Sequence, residues 1–175
     1  MSRFGPLVQI DPTAWVHDTA LLFGKISVGS RASIWPHAVI RSELHEVVIG
    51  EGSNIQDFAM IHVGYETPTL IGRMCSVTHH ATIHGATLGD NVLIGINATI
   101  MDGAVIGGNS IVAGQSLVRE GSEFPENSII AGTPARVIAQ RDNTAANQQN
   151  AEFYIRNSQA YSSGIHRMED WPNPM

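Results

Sequence analysis

The chain has 175 residues, 43% of them apolar and 15% charged, which suits one domain with a continuous core. Its formal charge of -6 has no cluster of lysines or arginines behind it, arguing against nucleic acid or an anionic membrane as a partner. No apolar run approaches the ~20 residues of a membrane span, the N-terminus lacks a signal-peptide core, and Cys75 is the only cysteine. The expectation is a cytoplasmic protein without an intrachain disulfide.

From the N-terminus, aliphatic residues recur at every sixth position: Ile10, Val16, Leu22, Val28, Ile34 and Ile40. After a short insertion the period resumes at Ile49, Ile55 and Ile61. After a second insertion it resumes at Ile71, Val77 and Ile83, and a deletion leads into Leu88, Ile94, Ile100, Ile106, Val112, Val118, Phe124 and Ile130. An amphipathic helix needs apolar residues three and four apart, and a half-buried strand needs them at every second position. A strict six fits neither and signals a solenoid whose repeats each bury a residue against the coils above and below. Glycine often follows the aliphatic, as in Ile49-Gly50 and Ile71-Gly72. The unit therefore reads as short strand, tight corner, short strand.

Two histidines share a phase of this repeat, because His62 follows Ile61 and His84 follows Ile83. They stand 22 positions apart, eighteen for one coil of three hexapeptides and four for the insertion. They should stack on one edge about 4.8 Å apart, and two imidazoles so placed can reach a common metal ion at about 2.0 to 2.1 Å each. His79, one hexapeptide before His84, should project from a neighbouring face, beyond reach of that ion within one chain. A neighbouring subunit in a cyclic trimer could supply it. His80 is expected on the opposite side of the same strand from His79. His45 and Glu46 in the first insertion read as solvated loop residues, and the second insertion, Val63 to Thr69, offers Glu66 as its one acid.

After Pro134 the repeat stops. Residues 135–142 read as a connector, and the stretch from Asn143 to Ser162 carries apolar residues at helical spacing with Asn143 or Thr144 as a cap. The tail from Asp170 to Met175, with Pro172 and Pro174, reads as loose. The expected organisation is a β-helix over residues 1–134, then a connector, a C-terminal helix and a tail over 135–175 packed on the solenoid.

The hexapeptide pattern resembles the left-handed parallel β-helix superfamily, from which the expected handedness comes. Within it, Trp35, Ala38 to Arg41, Asn54-Ile55-Gln56-Asp57, Ile61-His62 and His79 to His84-Gly85 resemble the γ-class carbonic anhydrase family. That resemblance implies a homotrimer with a metal at each subunit interface, zinc or in some members iron or cobalt. It implies His62 and His84 as ligands from one subunit and His79 from the next. It further implies reversible hydration of carbon dioxide to bicarbonate, a lyase activity, by hydroxide formed on the metal at neutral pH. Gln56 would orient that hydroxide, Arg41 and Asp57 would pair across the interface, and Tyr161 of the C-terminal helix would reach the site, with Tyr154 as the alternative. Glu43 stands where the family carries the acid of an Arg-Gly-Asp motif, here Arg41-Ser42-Glu43 and one methylene longer. Two rival readings accompany this one. The first is a hexapeptide-repeat acyl- or acetyltransferase using coenzyme A, and Ala131 to Arg136 resembles a terminal motif shared by both branches. The second is a metal-binding trimeric scaffold without anhydrase turnover.

Overall fold

Alternation within two-residue strands decides which side chains enter the solenoid. The computed structural model describes residues 3–171 of the chain. Ser33–Ile34, Asn54–Ile55, Ser76–Val77, Leu93–Ile94 and Ile111–Val112 pair in parallel, coil upon coil. In each the second residue faces inward, and Ile34, Ile55, Val77, Ile94 and Val112 are all fully buried. The same holds around the other two faces for Ile40, Ile61, Ile83 and Ile100, and for Ile49, Leu88 and Ile106. Small residues two positions earlier, such as Ala59, Ala81 and Ala98, fill the space beside each corner. The core is thus one continuous column, with Ile10, Val16 and Phe124 only partly buried at its ends.

The resulting architecture is a parallel β-helix carrying one C-terminal helix. One sheet runs in spatial order from Ala135–Gln140 through Ser128–Gly132, Ile111–Val112, Leu93–Ile94, Ser76–Val77, Asn54–Ile55 and Ser33–Ile34 to Trp15–Val16. The other two faces are joined because Leu21–Val28 and Val39–Ile49 continue round a corner as single strands. The first insertion is therefore strand, and His45 and Glu46 lie within it, contrary to their reading as loop residues. Extra residues here find ladder partners on the neighbouring long strand, with a register irregularity after Gly24.

Between faces the chain turns through residues in the left-handed region, among them His37, Phe58, Met74, His80 and Asn97 with φ of 54 to 60°. Among the described residues, no non-glycine residue in this conformation is β-branched, as its steric cost requires. His79 and His80 accordingly lie together in a turn and do not alternate across a strand. At another corner glycines stack: a Cβ on Gly50 would come within 2.5 Å of the Gly72 carbonyl carbon and 2.4 Å of its oxygen.

The segment read as a connector is mostly a strand, Ala135–Gln140, antiparallel to Ser128–Gly132 and following a cis Thr133–Pro134 peptide. The helix α1, Thr144–Ser162, starts where the sequence places it. Its N-cap, Asn143, makes no side-chain capping hydrogen bond, and one residue earlier Asp142 Oδ1 accepts from the Thr144 backbone N–H at 2.9 Å. Asn143 instead donates to the Asn109 and Arg141 carbonyls. Buried Asn147 ties α1 to the coils by donating to the carbonyls of Asn91 and Ser110, and Ala151 and Ile155, one turn apart, face the solenoid. The expected loose tail is corrected up to Trp171: Met168–Asp170 form a 3₁₀ turn, and Trp171 is buried against Phe153. The rest of that expectation, Pro172 to Met175, falls outside the described residues. Among the described residues, no helix is long and apolar enough to cross a membrane.

Ile83 is sandwiched between Ile61 and Ile100. Ile83→Ala should cost about 2–5 kcal/mol in reversible urea unfolding, whereas Leu7→Ala at an exposed position should stay within about 0.5 kcal/mol. Gly50→Ala, which drives a methyl into backbone, should lower the melting temperature without enlarging any side chain of the core.

Candidate metal centre

His62 and His84 end the paired strands Met60–His62 and Thr82–His84, in the register Ile61↔Ile83 and His62↔His84. With the isoleucines inward, both imidazoles project outward from the same edge. Their ring centroids are 4.9 Å apart, and His62 Nδ1 lies 3.0 Å from His84 Nε2. Two nitrogens bound tetrahedrally to one ion at about 2.0 to 2.1 Å stand about 3.4 Å apart. A few tenths of an ångström of opening would convert the pair into two ligands of one metal, so the donor set fits.

Each ring is held on its far side by a carboxylate. His84 Nδ1 donates to Asp102, at 2.9 Å from Oδ1 and 3.0 Å from Oδ2. Because a carboxylate only accepts, the hydrogen sits on Nδ1 and the lone pair on Nε2, facing His62. His62 Nε2 lies 2.8 Å from Glu43 Oε2, and Glu43 is also ion-paired with Arg41. Burial pushes the Glu43 carboxyl up, but the His62 hydrogen bond and the Arg41 charge outweigh it and hold it below the usual carboxylate range. The group opens into a cleft of about 290 Å³ whose walls include Leu44, Val63, Gly64 and Tyr65.

His79 does not join this cluster. It sits in the turn after Ser76–Val77, at the opposite end of the face that ends in His84, with the His80 corner and the strand Thr82–His84 between them. There its Nδ1 donates to Asp57 Oδ2 at 3.0 Å. Gln56 lies on the same edge, 1% exposed, its amide donating to Asn54 Oδ1 at 2.9 Å while Asn54 donates to Ser76 Oγ at 3.0 Å. Within one subunit Arg41 pairs with Glu43 and Asp57 with His79; Arg41 and Asp57 do not meet. Among the described residues, no group of three or more His, Cys, Asp and Glu side chains assembles that could hold a metal ion.

The helix tyrosines Tyr154 and Tyr161 both pack on Trp35. Tyr161 packs against Trp15, Trp35 and His166, in an aromatic cluster that does not contain the paired histidines. Tyr154 packs edge-on against Trp35 at 5.3 Å. Burial pushes its phenol up to about 12, and the nearby Asp57 charge adds to the effect. Sequence reasoning also passed over Asp102. It follows Ile100 by two residues, and Ile100 is the register partner of Ile83, so it stands one position past the phase that aligned the histidines. A second groove, about 330 Å³ beside α1, is lined by Arg31, Glu51, Arg73 and Asp90, whose charges already pair with one another.

Residues 85–120 match the family described as bacterial transferase hexapeptide (six repeats). The crystal structure of a hexapeptide transferase family protein from Anaplasma phagocytophilum superposes with a TM-score of 0.85 at 32% identity, covering 90% of this chain and 95% of that one. The chain belongs to the hexapeptide-repeat family. Among curated proteins, a Methanocaldococcus jannaschii protein named "Probable carbonic anhydrase" is 44% identical over 81 residues, 46% of this chain and 51% of that protein. The mitochondrial gamma carbonic anhydrase 2 of Arabidopsis thaliana is 35% identical over 108 residues, 58% of this chain and 39% of that protein. The carnitine operon protein CaiE of Escherichia coli is 39% identical over 98 residues, 56% of this chain and 50% of that protein. The chain thus spans about half the length, or less, of these curated relatives.

Tyr154 gives a pH prediction with a definite sign. An unfolded tyrosine ionises near 10, whereas the folded one holds its proton to about 12, so between those values the unfolded chain carries fewer protons. This contribution leaves stability intact below pH 10 and removes it as pH rises towards 12. Spectrophotometric titration at 295 nm should show one late phenol, and Tyr154→Phe should abolish that late step.

Proposed function

We propose that this protein is a γ-class carbonic anhydrase-like enzyme, hydrating carbon dioxide reversibly at metal ions held between the subunits of a homotrimer. The observation that carries the reading is the imidazole pair His62 and His84, in register and 3.0 Å apart between ring nitrogens. The third histidine, His79, stands on the opposite edge with its own carboxylate. A cyclic trimer brings the edge bearing His62 and His84 of one subunit against the His79 edge of the next. When bound, the metal supplies a hydroxide nucleophile at neutral pH. Zinc is the expected ion, with iron and cobalt also suited to an imidazole site.

The remaining chemistry belongs to the chain. Asp102 and Asp57 each take the Nδ1 hydrogen of a histidine and turn its Nε2 outward as a ligand. Glu43 holds the His62 ring from its other nitrogen and is steadied by Arg41. Gln56, held by Asn54 on the His79 edge, would orient the reacting oxygen from the neighbouring subunit. Leu44, Val63 and Tyr65 give the cleft apolar walls suited to a small uncharged substrate, and Arg41 beside them suits the anionic product. Coenzyme A-dependent acyl transfer explains the fold equally well but leaves the carboxylate-backed histidines without a role. The cytoplasm is the compartment this reading assumes.

Protein purified without chelator under low oxygen should carry about one transition metal per chain as a trimer with three equivalent interfaces. His84→Ala should lose that metal, and stopped-flow hydration of carbon dioxide should disappear with it. A folded trimer that takes up no zinc, iron or cobalt would eliminate this reading and bring acyl transfer forward.

A further inference from the structure

Asp102 comes from the coil next to His84, yet its carboxylate lies against the imidazole with both oxygens within 3.0 Å of Nδ1. Space for it exists only because two neighbours have no side chain. A Cβ on Gly64 would stand 1.9 Å from Asp102 Oδ1, and one on Gly85 would stand 2.3 Å from the same atom. Gly85 also adopts φ of 58°, and its carbonyl accepts from the Gly103 backbone N–H at 2.7 Å, tying the two corners together. Thr67, from the second insertion, places its hydroxyl 3.4 Å from Oδ1. The carboxylate is therefore seated in a fitted recess and is not a chance surface contact.

We propose that Asp102 is the positioning residue of the metal centre: by accepting the Nδ1 hydrogen of His84 it fixes the tautomer and ring plane that present Nε2 towards His62. This rests on the metal-binding reading of the histidine pair for its consequence, although the tautomer itself exists in the metal-free protein. Carboxylate partners of ligating histidines characteristically govern affinity by about 10- to 100-fold. Glu43 differs in kind, since it contacts His62 through Nε2 and not Nδ1.

The test combines two readouts on the full chain, with Asp102→Ala, Asp102→Asn and a distant carboxylate control, Asp90→Asn. In metal-free protein labelled with nitrogen-15 at histidine, long-range proton–nitrogen correlation should show His84 protonated at Nδ1 and bare at Nε2. Asp102→Ala should lose that preference, and Asp102→Asn, which retains an acceptor oxygen, should recover it. Zinc affinity, measured by competition with a chelating indicator, should fall about 10- to 100-fold in Asp102→Ala and remain unchanged in Asp90→Asn. Wild-type His84 found protonated at Nε2, or a folded Asp102→Ala protein with unaltered tautomer and zinc affinity, would overturn the assignment. Wild-type protein that binds no metal while keeping the Nδ1 tautomer would retire the anhydrase reading and leave Asp102 as the determinant of His84's tautomer.

Discussion

Coil-on-coil stacking of the inward aliphatics is the constraint from which the rest of the molecule follows. Ile61 on Ile83 and Ile83 on Ile100 are paired in parallel register and fully shielded from water. Burial of each such side chain is worth about 1.5–3 kcal/mol before entropy is counted. Slipping one coil by one residue would expose its entire inward set. Any side chain one residue beyond an inward position is consequently held in line with its counterpart on the next coil. His62 and His84 occupy that position, so the apolar core sets their separation and the metal need not do so.

On the proposed reading, the same constraint leaves a single subunit with only part of the metal site. A flat face of the solenoid has two edges, and residues at its ends cannot approach each other without breaking the ladder between them. The histidine pair takes one edge, and His79 with Asp57 takes the other. Each edge is built in advance, with carboxylates orienting the imidazoles, so association of rigid surfaces would complete the site at little conformational cost. Exposed apolar residues flank both edges, Tyr65 and Leu44 near the pair and Phe58 and Ile96 near His79. That is the composition expected of surfaces that meet a partner.

Periodicity of six was enough to read the core, the parallel coils and the alignment of His62 with His84, because each depends on one repeated burial rule. Departures came where the repeat stops governing. Val39–Ile49 runs on as strand through the first insertion because the long strand beside it offers partners, which no local pattern in residues 41–48 reveals. His80 leaves strand geometry because the corner demands a left-handed residue at that position. Ala135–Gln140 pairs antiparallel after the chain reverses near Pro134, so its exposed Val137 and Ile138 carry no inward pattern. Which neighbours Tyr161 and Tyr154 meet, the Trp15 and Trp35 cluster for the first and Trp35 with the Asp57 charge for the second, is set by how α1 docks and is invisible in its own periodicity.

Shared ownership of the metal site is the central claim, and intersubunit complementation tests it directly. His79→Ala and His84→Ala variants are each expected to be metal-free when assembled alone. Unfolded together in equal amounts, refolded and assayed for bound metal, they should regain it at about a quarter of all interfaces, one in each mixed trimer, where an intact His62 and His84 pair meets an intact His79. Mixed trimers that stay as empty as either parent would contradict a site divided between subunits.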